Sequence, residues 1–444
     1  MLTKIYNFWQ ILKGNLWFVP AIFCLFFGGV TFAAYYLEIH YLYKLDLPDY
    51  IFQGSTNDAK SVITTLLSAM ITMATLAISI TIVVLSLAAS QLGPRLIKSF
   101  MSDRTTKDYI GLFFGTVIAC FILTFILHSA TSEAITPRIT ISGVFMLCLI
   151  NLFVLLGFVH HVAQSCIADH IILKVADELK SALNRLTYDA HGDRKKPDEP
   201  KKKRDDWPKD FDRISKHLFF ERSGYVQNIN YQAILDFAQE HGCYIQIKFK
   251  AGHFLVSGED GVRVYTKKPL PDDFEQTLKN YFIVGQSRTP TQDIEYSIRH
   301  MVEIAIRALS PGVNDSYTAV HVLDHLSSAL AILFEKETPS ENFYDESGLL
   351  RLKATQSGED VIIFNALSQI RHNGGMMPSM IKHMLDKITI LATLAKTPEA
   401  KTALYNQLKA LHADLNQLDR YLCEREELET AMKDLMKELA KDLS

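Results

Sequence analysis

The chain has 444 residues, 48% of them hydrophobic and 21% charged, and its 46 Lys and Arg nearly balance its 49 Asp and Glu for a formal net charge of −3. That balance argues against a nucleic-acid binder, and the length accommodates two or three structural units. The averages conceal an asymmetry: residues 1–165 are mostly apolar, whereas the remainder is composed like an ordinary soluble protein.

A bilayer core requires about 20 apolar residues per helix, and four stretches qualify: Leu16 to Leu37, Val62 to Ala89, Tyr109 to Ser129, and Ile139 to about Val162 after the break at Pro137. The first is longer than a signal-peptide core and is followed by no A-x-A cleavage site, so it reads as a retained span. Lys4 and Lys13 precede it, and Arg95, Lys98, Arg104 and Lys107 lie between the second and third spans. The other two loops are poorer in positive charge, so both termini are expected in the cytoplasm. The cysteines (Cys24, Cys120, Cys148, Cys166, Cys243, Cys423) form no C-x-x-C pair and read as reduced thiols, with the soluble part facing the cytosol.

The second span carries Ser61, Thr65, Ser68, Thr72, Thr75, Ser79, Ser86 and Ser90 at steps of three, four or seven. That spacing places them on one helical face. Two explanations are open. Small and hydroxyl residues let helices pack closely and hydrogen-bond across the contact. Alternatively, several copies could surround an axis and line it with hydroxyls that replace the water around a permeating ion. No Asp, Glu, Lys or Arg lies well inside a span, and Asn151 is the most polar residue deep in the fourth. A passive pathway is therefore favoured over a proton-coupled carrier. Beyond the stripe, Gly93-Pro94 ends the helix, and Arg95, Lys98 and Arg104 fall at the lipid headgroups or at a pore mouth.

The fourth span runs on as a helical extension over 166–190. Its cluster of His160, His161, Cys166, Asp169 and His170 has no clean metal spacing and reads as interfacial. Residues 191–210, rich in charge and proline, read as a linker, and its run Lys201 to Arg204 as a solvated stretch able to touch anionic lipid. A small β-α-β-β unit is expected over 211–270. It comprises a strand in SGYVQNI, a helix from Asn230 to Gly242, a strand in YIQIKF and two short strands after it, without a phosphate-binding glycine loop. From 271 to 444 a helical domain is expected. The fold class is thus an α-helical polytopic membrane protein with four transmembrane helices and a mostly helical cytoplasmic α+β domain.

The stretch RTPTQDIEYSIRHMVEIAIRALSPGVND, with SGYVQ and the four spans, resembles the bacterial membrane family catalogued as domain of unknown function 2254. The family's Ala-Leu-Ser-Pro-Gly-x-Asn-Asp run usually continues with Pro; here Ser316 stands there, before Tyr317-Thr318-Ala319. The resemblance implies this architecture and no settled activity. On the residues themselves, Arg299, Arg307, Ser310, Asn314 and Asp315 form a candidate ligand or regulatory cluster, against the plainer reading of a turn and a helix cap. Ser310 stands in no G-x-S-x-G elbow, no catalytic set is visible, and the chain is not expected to be an enzyme. His321 and His325 are a weak i, i+4 metal pair lacking the glutamate of H-E-x-x-H; no metal or other cofactor is expected.

Leu404, Leu408, Leu411, Leu415, Leu418 and Leu422 follow a heptad seam that Leu428, Met432, Leu435 and Leu439 resume out of phase. Such a slip suits helices packing on their own domain or on a neighbouring subunit. The expected partners are the lipid bilayer, further copies of the chain in a homo-oligomer, and ions, with no nucleic acid. The function expected is an ion or small-solute pathway lined by the second helix and regulated by the cytoplasmic domain. The alternative is a non-conducting membrane-anchored sensor or scaffold.

Overall fold

Backbone amides at a helix start need acceptors, and in hydrocarbon no water supplies them. In the first unit of the computed structural model, acidic side chains fill that need at three helix starts. The structure describes residues 15–42, 51–92, 103–129, 136–165, 168–186, 215–266, 268–336, 338–374, 377–417 and 425–443. The chain divides into two units, 1–170 and 171–444.

The first unit contains α1 (Phe18–Leu37), α2 (Thr56–Leu92), α3 (Arg104–Ser129) and α4 (Arg138–Ser165), with a π-helical turn at Glu38–Leu42 after α1. Ser55 and Asp58 cap α2 reciprocally, Ser55 N donating to Asp58 Oδ2 at 2.9 Å and Asp58 N to Ser55 Oγ at 3.3 Å, as a capping box does. Asp103 accepts from Thr106 N at 2.9 Å and caps α3. The cap of α4 comes from another helix: Glu38, 4% exposed, accepts from Ile139 N at 2.7 Å and from Thr140 N at 2.8 Å. This contact fixes the end of α1 beside the start of α4. A carboxylate at a helix N-terminus also meets the positive end of the macrodipole.

α3 is the central helix and touches the other three. Its Gly111 and Gly115 admit Phe23 and Phe27 of α1. A Cβ on Gly115 would lie 2.6 Å from Phe27 Cδ2 and 3.2 Å from the Phe23 carbonyl oxygen. This is the small-xxx-small close approach that substitutes for hydrophobic driving force in lipid. Between α3 and α4, Asn151 Nδ2 donates to Thr116 Oγ1 at 2.8 Å, both residues being fully buried. Cys120 and Cys148 face each other across the same seam at 3.7 Å.

The boundary between the units falls in the first turn of α5 (Ala168–Leu186), most of which belongs to the second. A five-stranded sheet follows in the order β1-β5-β3-β8-β7, from β1 (Ser215–Phe219), β3 (Tyr244–Ile247), β5 (Asp260–Tyr265), β7 (Asn342–Tyr344) and β8 (Leu350–Ala354); only β3 and β8 run parallel. A second sheet joins β4 (Phe254–Leu255), β2 (Gly224–Ile229) and β6 (Phe282–Gly285), all antiparallel. Leu218, Val226, Phe249, Val262 and Leu352 sit in their common core with Ile234 of α6 (Tyr231–Glu240). Asn230 caps α6 through Ala233 N at 3.1 Å. Burial pushes the Cys243 thiol in this core up to about 11, which keeps it protonated and unreactive.

After the short α7 (Phe274–Lys279) come α8 (Ile294–Ala308), α9 (Ser316–Glu335), α10 (Glu359–Gly374), α11 (Pro378–Leu394), α12 (Pro398–Leu415) and α13 (Arg425–Leu443). The expectation of purely helical chain after residue 271 is corrected here: β6, β7 and β8 lie beyond it and complete both sheets. These strands of three to five residues are too short to show an alternating pattern. The leucine seam is resolved in favour of internal packing. Leu404, Leu408, Leu411 and Leu415 are fully buried, and α12 packs on α10, α11 and α13; Leu418 and Leu422 lie outside the described residues.

Among the described residues five helices are long and apolar enough to cross a membrane, namely α1 to α4 and also α9, so the expected count of four is not confirmed. α9 buries Val322, Leu323, Leu326, Leu330 and Leu333 and contacts α8, α10 and α11 within the second unit. The linker expected at 191–210 lies outside the described residues.

Replacing Gly115 by Leu inserts a side chain where a single carbon already collides. We expect a loss of about 1–3 kcal/mol, read as a lower unfolding temperature of the purified protein in detergent. Gly143→Ala, where nothing stands within 4 Å, is expected to leave that temperature unchanged.

Candidate functional site

The hydroxyl row of α2 occupies the outer surface of the first unit. Ser61, Thr65, Ser68, Thr72, Thr75, Ser79 and Ser86 are all exposed. The opposite side of the helix is fully packed, with Ala59, Ile63, Met70, Ala74 and Ala77 buried against α3 and α4. The division follows from the sequence: small and long apolar residues at helical spacing on one side, hydroxyls on the other. From Ser61 to Ser79 the row runs about 27 Å at 1.5 Å per residue, close to the roughly 30 Å of a hydrocarbon core. Apolar side chains share the face: Ile71 and Leu76 flank the central row at 48% and 49% exposed, and Ile82 and Val83 interrupt it at 60% and 66%.

Each hydroxyl of the central row is satisfied by its own helix. Thr65 donates to the Ser61 carbonyl at 2.8 Å, Ser68 to Thr64 at 3.0 Å, and Thr72, Thr75 and Ser79 each to the carbonyl four residues before at 2.9 Å. The proton is used and the oxygen lone pairs are turned outward. The face is therefore an acceptor surface that tolerates a dry environment. The outer faces of α1 and α4 differ in kind: Leu25, Phe26 and Phe32 on one, Leu152, Phe153 and Leu156 on the other, are large, apolar and exposed, as lipid contact demands.

The polar groups flanking the row fall as follows. Arg104 stands at the first position of α3, its side chain 91% exposed and 3.7 Å from Asp108. The side chain of Ser90, and Arg95 and Lys98 altogether, lie outside the described residues. Near Arg104, His161 Nε2 lies 3.0 Å from Asp103 Oδ2, and Thr106 Oγ1 donates to the same carboxylate at 2.8 Å. The interfacial histidine thus locks the start of α3 to the end of α4.

In the second unit, the stretch from Arg288 to Asp315 builds a joint and a turn. Arg288 clamps Asp293 with two hydrogen bonds, Nε to Oδ2 at 2.7 Å and Nη2 to Oδ1 at 2.8 Å, and Asp293 caps α8 through Tyr296 N at 3.1 Å. Beside it, Lys250 donates to Glu295 and to Ser357 Oγ, and Ser357 Oγ donates to Glu295 Oε1 at 2.8 Å. Asp293 and Glu295 are 4% and 6% exposed. Burial pushes the Asp293 carboxyl up despite the facing Arg288. Burial acts likewise on Glu295, but Lys250, Ser357 and Arg288 together outweigh it and hold that carboxyl below its usual range. Gln292 brackets the neighbouring strand, accepting from Ile229 N at 2.8 Å and donating to Ile229 O at 3.0 Å. The residues RTPTQDIE and SGYVQNI are therefore one contact, joining β2 to α8.

Gly252 closes this joint. Its φ is +88°, and a Cβ there would lie 2.1 Å from Asp293 Oδ2. Sequence reasoning missed Lys250, Gly252, Glu295 and Ser357 because 107 residues separate Lys250 from Ser357; the capping signal of Asp293 before an apolar helix was readable.

Of the expected cluster of Arg299, Arg307, Ser310, Asn314 and Asp315, the structure gathers the last four around one turn and sets Arg299 apart. Arg299 is exposed and lies about 12 Å up α8 from Arg307, whose guanidinium stands 3.7 Å from Glu303. The other three build the turn. Ser310 Oγ donates to Arg307 O at 2.6 Å, Asn314 adopts φ 51°, and Asp315 caps α9 through Thr318 N at 3.1 Å. Asn is among the few residues that accept that backbone. Asp315 is held below the usual carboxylate range by its bonds from Thr318. His321 and His325 approach to 3.1 Å, and among the described residues no group of three or more His, Cys, Asp or Glu is arranged to hold a metal ion.

A bundle of apolar helices with capped ends, followed by a mixed α+β unit, defines a helical membrane protein. The chain belongs to the family described as predicted membrane protein (DUF2254), whose profile matches residues 13–389. It is 27% identical over 372 residues to the uncharacterized protein MT1328 of Mycobacterium tuberculosis, covering 81% of this chain and 68% of that one. With the uncharacterized protein Mb1321c of Mycobacterium bovis the identity is 26% over the same shares. No solved structure matches the chain.

Gly252→Ala places a side chain at a left-handed φ and against a buried carboxylate. We expect a loss of about 1–3 kcal/mol, seen as a lower melting temperature of the second unit by circular dichroism. Gly312→Ala, with open space around it, is the control and should leave the transition in place.

Proposed function

We propose that the chain is a multi-pass protein of a bacterial inner membrane whose copies assemble with the hydroxyl face of α2 turned to a shared axis, forming a passive pathway for ions or small solutes that the second unit regulates. Helices α1 to α4 are the spans. Both termini are on the cytoplasmic side, as the positive charge of Lys4, Lys13, Arg95 and Lys98 favours. One observation carries the reading: an exposed hydroxyl row about as long as the hydrocarbon core is thick, on a protomer whose other outer faces are large and apolar. A helix crossing uses a few turns of small residues; a track across the whole membrane suits permeation. The exposed Ile82 and Val83 then form an apolar constriction in the track.

The second reading, a non-conducting sensor or scaffold, is favoured by the hydrogen bonds that each central hydroxyl makes to its own helix. Such a face suits a dry seam between copies.

Single cysteines at Ser68, Thr72, Thr75 and Ser79 separate the two. In intact membranes these positions are expected to react with a charged, impermeant thiol reagent well above the rate of cysteines at Leu25 or Phe153. Silence at all of them, with disulfide cross-links forming between copies instead, would support the dry seam and remove the pathway.

A further inference from the structure

A groove of about 540 Å³ runs between the N-terminal halves of α10 and α12 in the second unit. Asp360, Val361 and Phe364 line it from α10, and Glu399 and Gln407 from α12. Its charge is of one sign, since no Lys, Arg or His lines it. Among the described residues neither Asp360 nor Glu399 stands in an ion pair. Lys401, two residues from Glu399, is drawn away to Asp442 of α13 at 2.5 Å. Burial pushes the neighbouring Glu359 carboxyl up against the hydrogen bond from Thr397, and Glu399 adds to the rise. Negative charge therefore accumulates at this corner.

An acid in the first turn of a helix meets the positive end of the macrodipole, which accounts for Asp360 and Glu399 singly. It does not account for Gln407 or for the apolar strip beside them. Gln407 is 5% exposed, and its Oε1 accepts no hydrogen bond among the described residues; a buried acceptor left so is costly. The terminal bond of a glutamine side chain turns readily, so the amide can offer that oxygen to the groove. Val361 and Phe364 are 37% and 56% exposed there. We propose that the groove binds an aliphatic polyamine. Its ammonium groups meet Asp360 and Glu399, its methylene chain covers Val361 and Phe364, and one N–H answers the Gln407 oxygen. A metal cation would serve the oxygens and leave the apolar strip bare. The site lies within the second unit and stands whether or not the α2 face conducts.

The test is isothermal titration calorimetry of the full-length, delipidated protein in neutral detergent, with spermidine as the probe. One spermidine per chain is expected, and n-butylamine, with a single ammonium, should bind about tenfold more weakly. Asp360→Asn and Glu399→Gln, both at exposed positions, should each weaken spermidine about threefold, and the two together about tenfold. Gln407→Leu should weaken it about threefold while leaving the unfolding temperature unchanged or higher, because an unanswered buried acceptor is removed. Asp434→Asn on α13 controls for net charge and should bind as the unaltered chain does. Absence of spermidine binding would overturn the proposal. So would undiminished binding in the Asp360→Asn, Glu399→Gln double variant, or displacement of spermidine by Mg²⁺ at equal concentration, which would mark a site for any cation.

Discussion

In hydrocarbon no water is present to accept or donate a hydrogen bond, so the polar groups of the first unit must look to the protein itself. Glu38 answers the start of α4, Asp103 the start of α3, and Ser55 with Asp58 the start of α2. Asn151 donates to Thr116 inside the bundle, and Thr116 to the Leu112 carbonyl, while Asn151 Oδ1 is left without a partner among the described residues. The hydroxyls of α2 are answered by their own backbone, and this is what permits them to stand on an outer surface. They share that outer face with the exposed Ile71, Leu76, Ile82 and Val83.

Architecture follows from that constraint. Glycines at Gly111 and Gly115 bring α1 and α3 close enough for dispersion to hold them, while the small Ala59, Ala74 and Ala77 do the same for α2. With the inner side of α2 consumed by packing, its hydroxyls can only look outward. The second unit solves a different problem, that of joining a short-stranded sheet to a set of packed helices. It does so with buried charge, Arg288 on Asp293 and Lys250 on Glu295, at a site where Gly252 leaves no room for a side chain. Breaking one member of such a pair leaves its partner buried and uncompensated.

Much of this was legible in the sequence, and the reasons for the rest are physical. Apolar length announced α1 to α4, and the spacing from Ser61 to Ser86 announced a hydroxyl face; caps at Asn230 and Asp315 could be read from residue type and position. The boundaries of α2 could not: at Thr56–Leu92 it outruns its apolar stretch because polar residues extend a helix once it is nucleated. Glu38 gave no local sign of its role, since its partners are 101 and 102 residues away. Strands as short as β6, β7 and β8 carry too few residues for a period. Arg299 and Arg307 looked like one site by their nearness in sequence, yet eight residues of helix hold them about 12 Å apart.

The central claim is that the hydroxyl face of α2 is turned toward further copies around a water-filled axis. Electron cryomicroscopy of the full chain in lipid nanodiscs tests it most directly. The account predicts a closed ring of protomers with Ser68, Thr72, Thr75 and Ser79 of each copy lining a continuous axial channel narrowed at Ile82 and Val83. A lone protomer with that face against lipid, or an assembly in which it is sealed by side chains throughout, would contradict it.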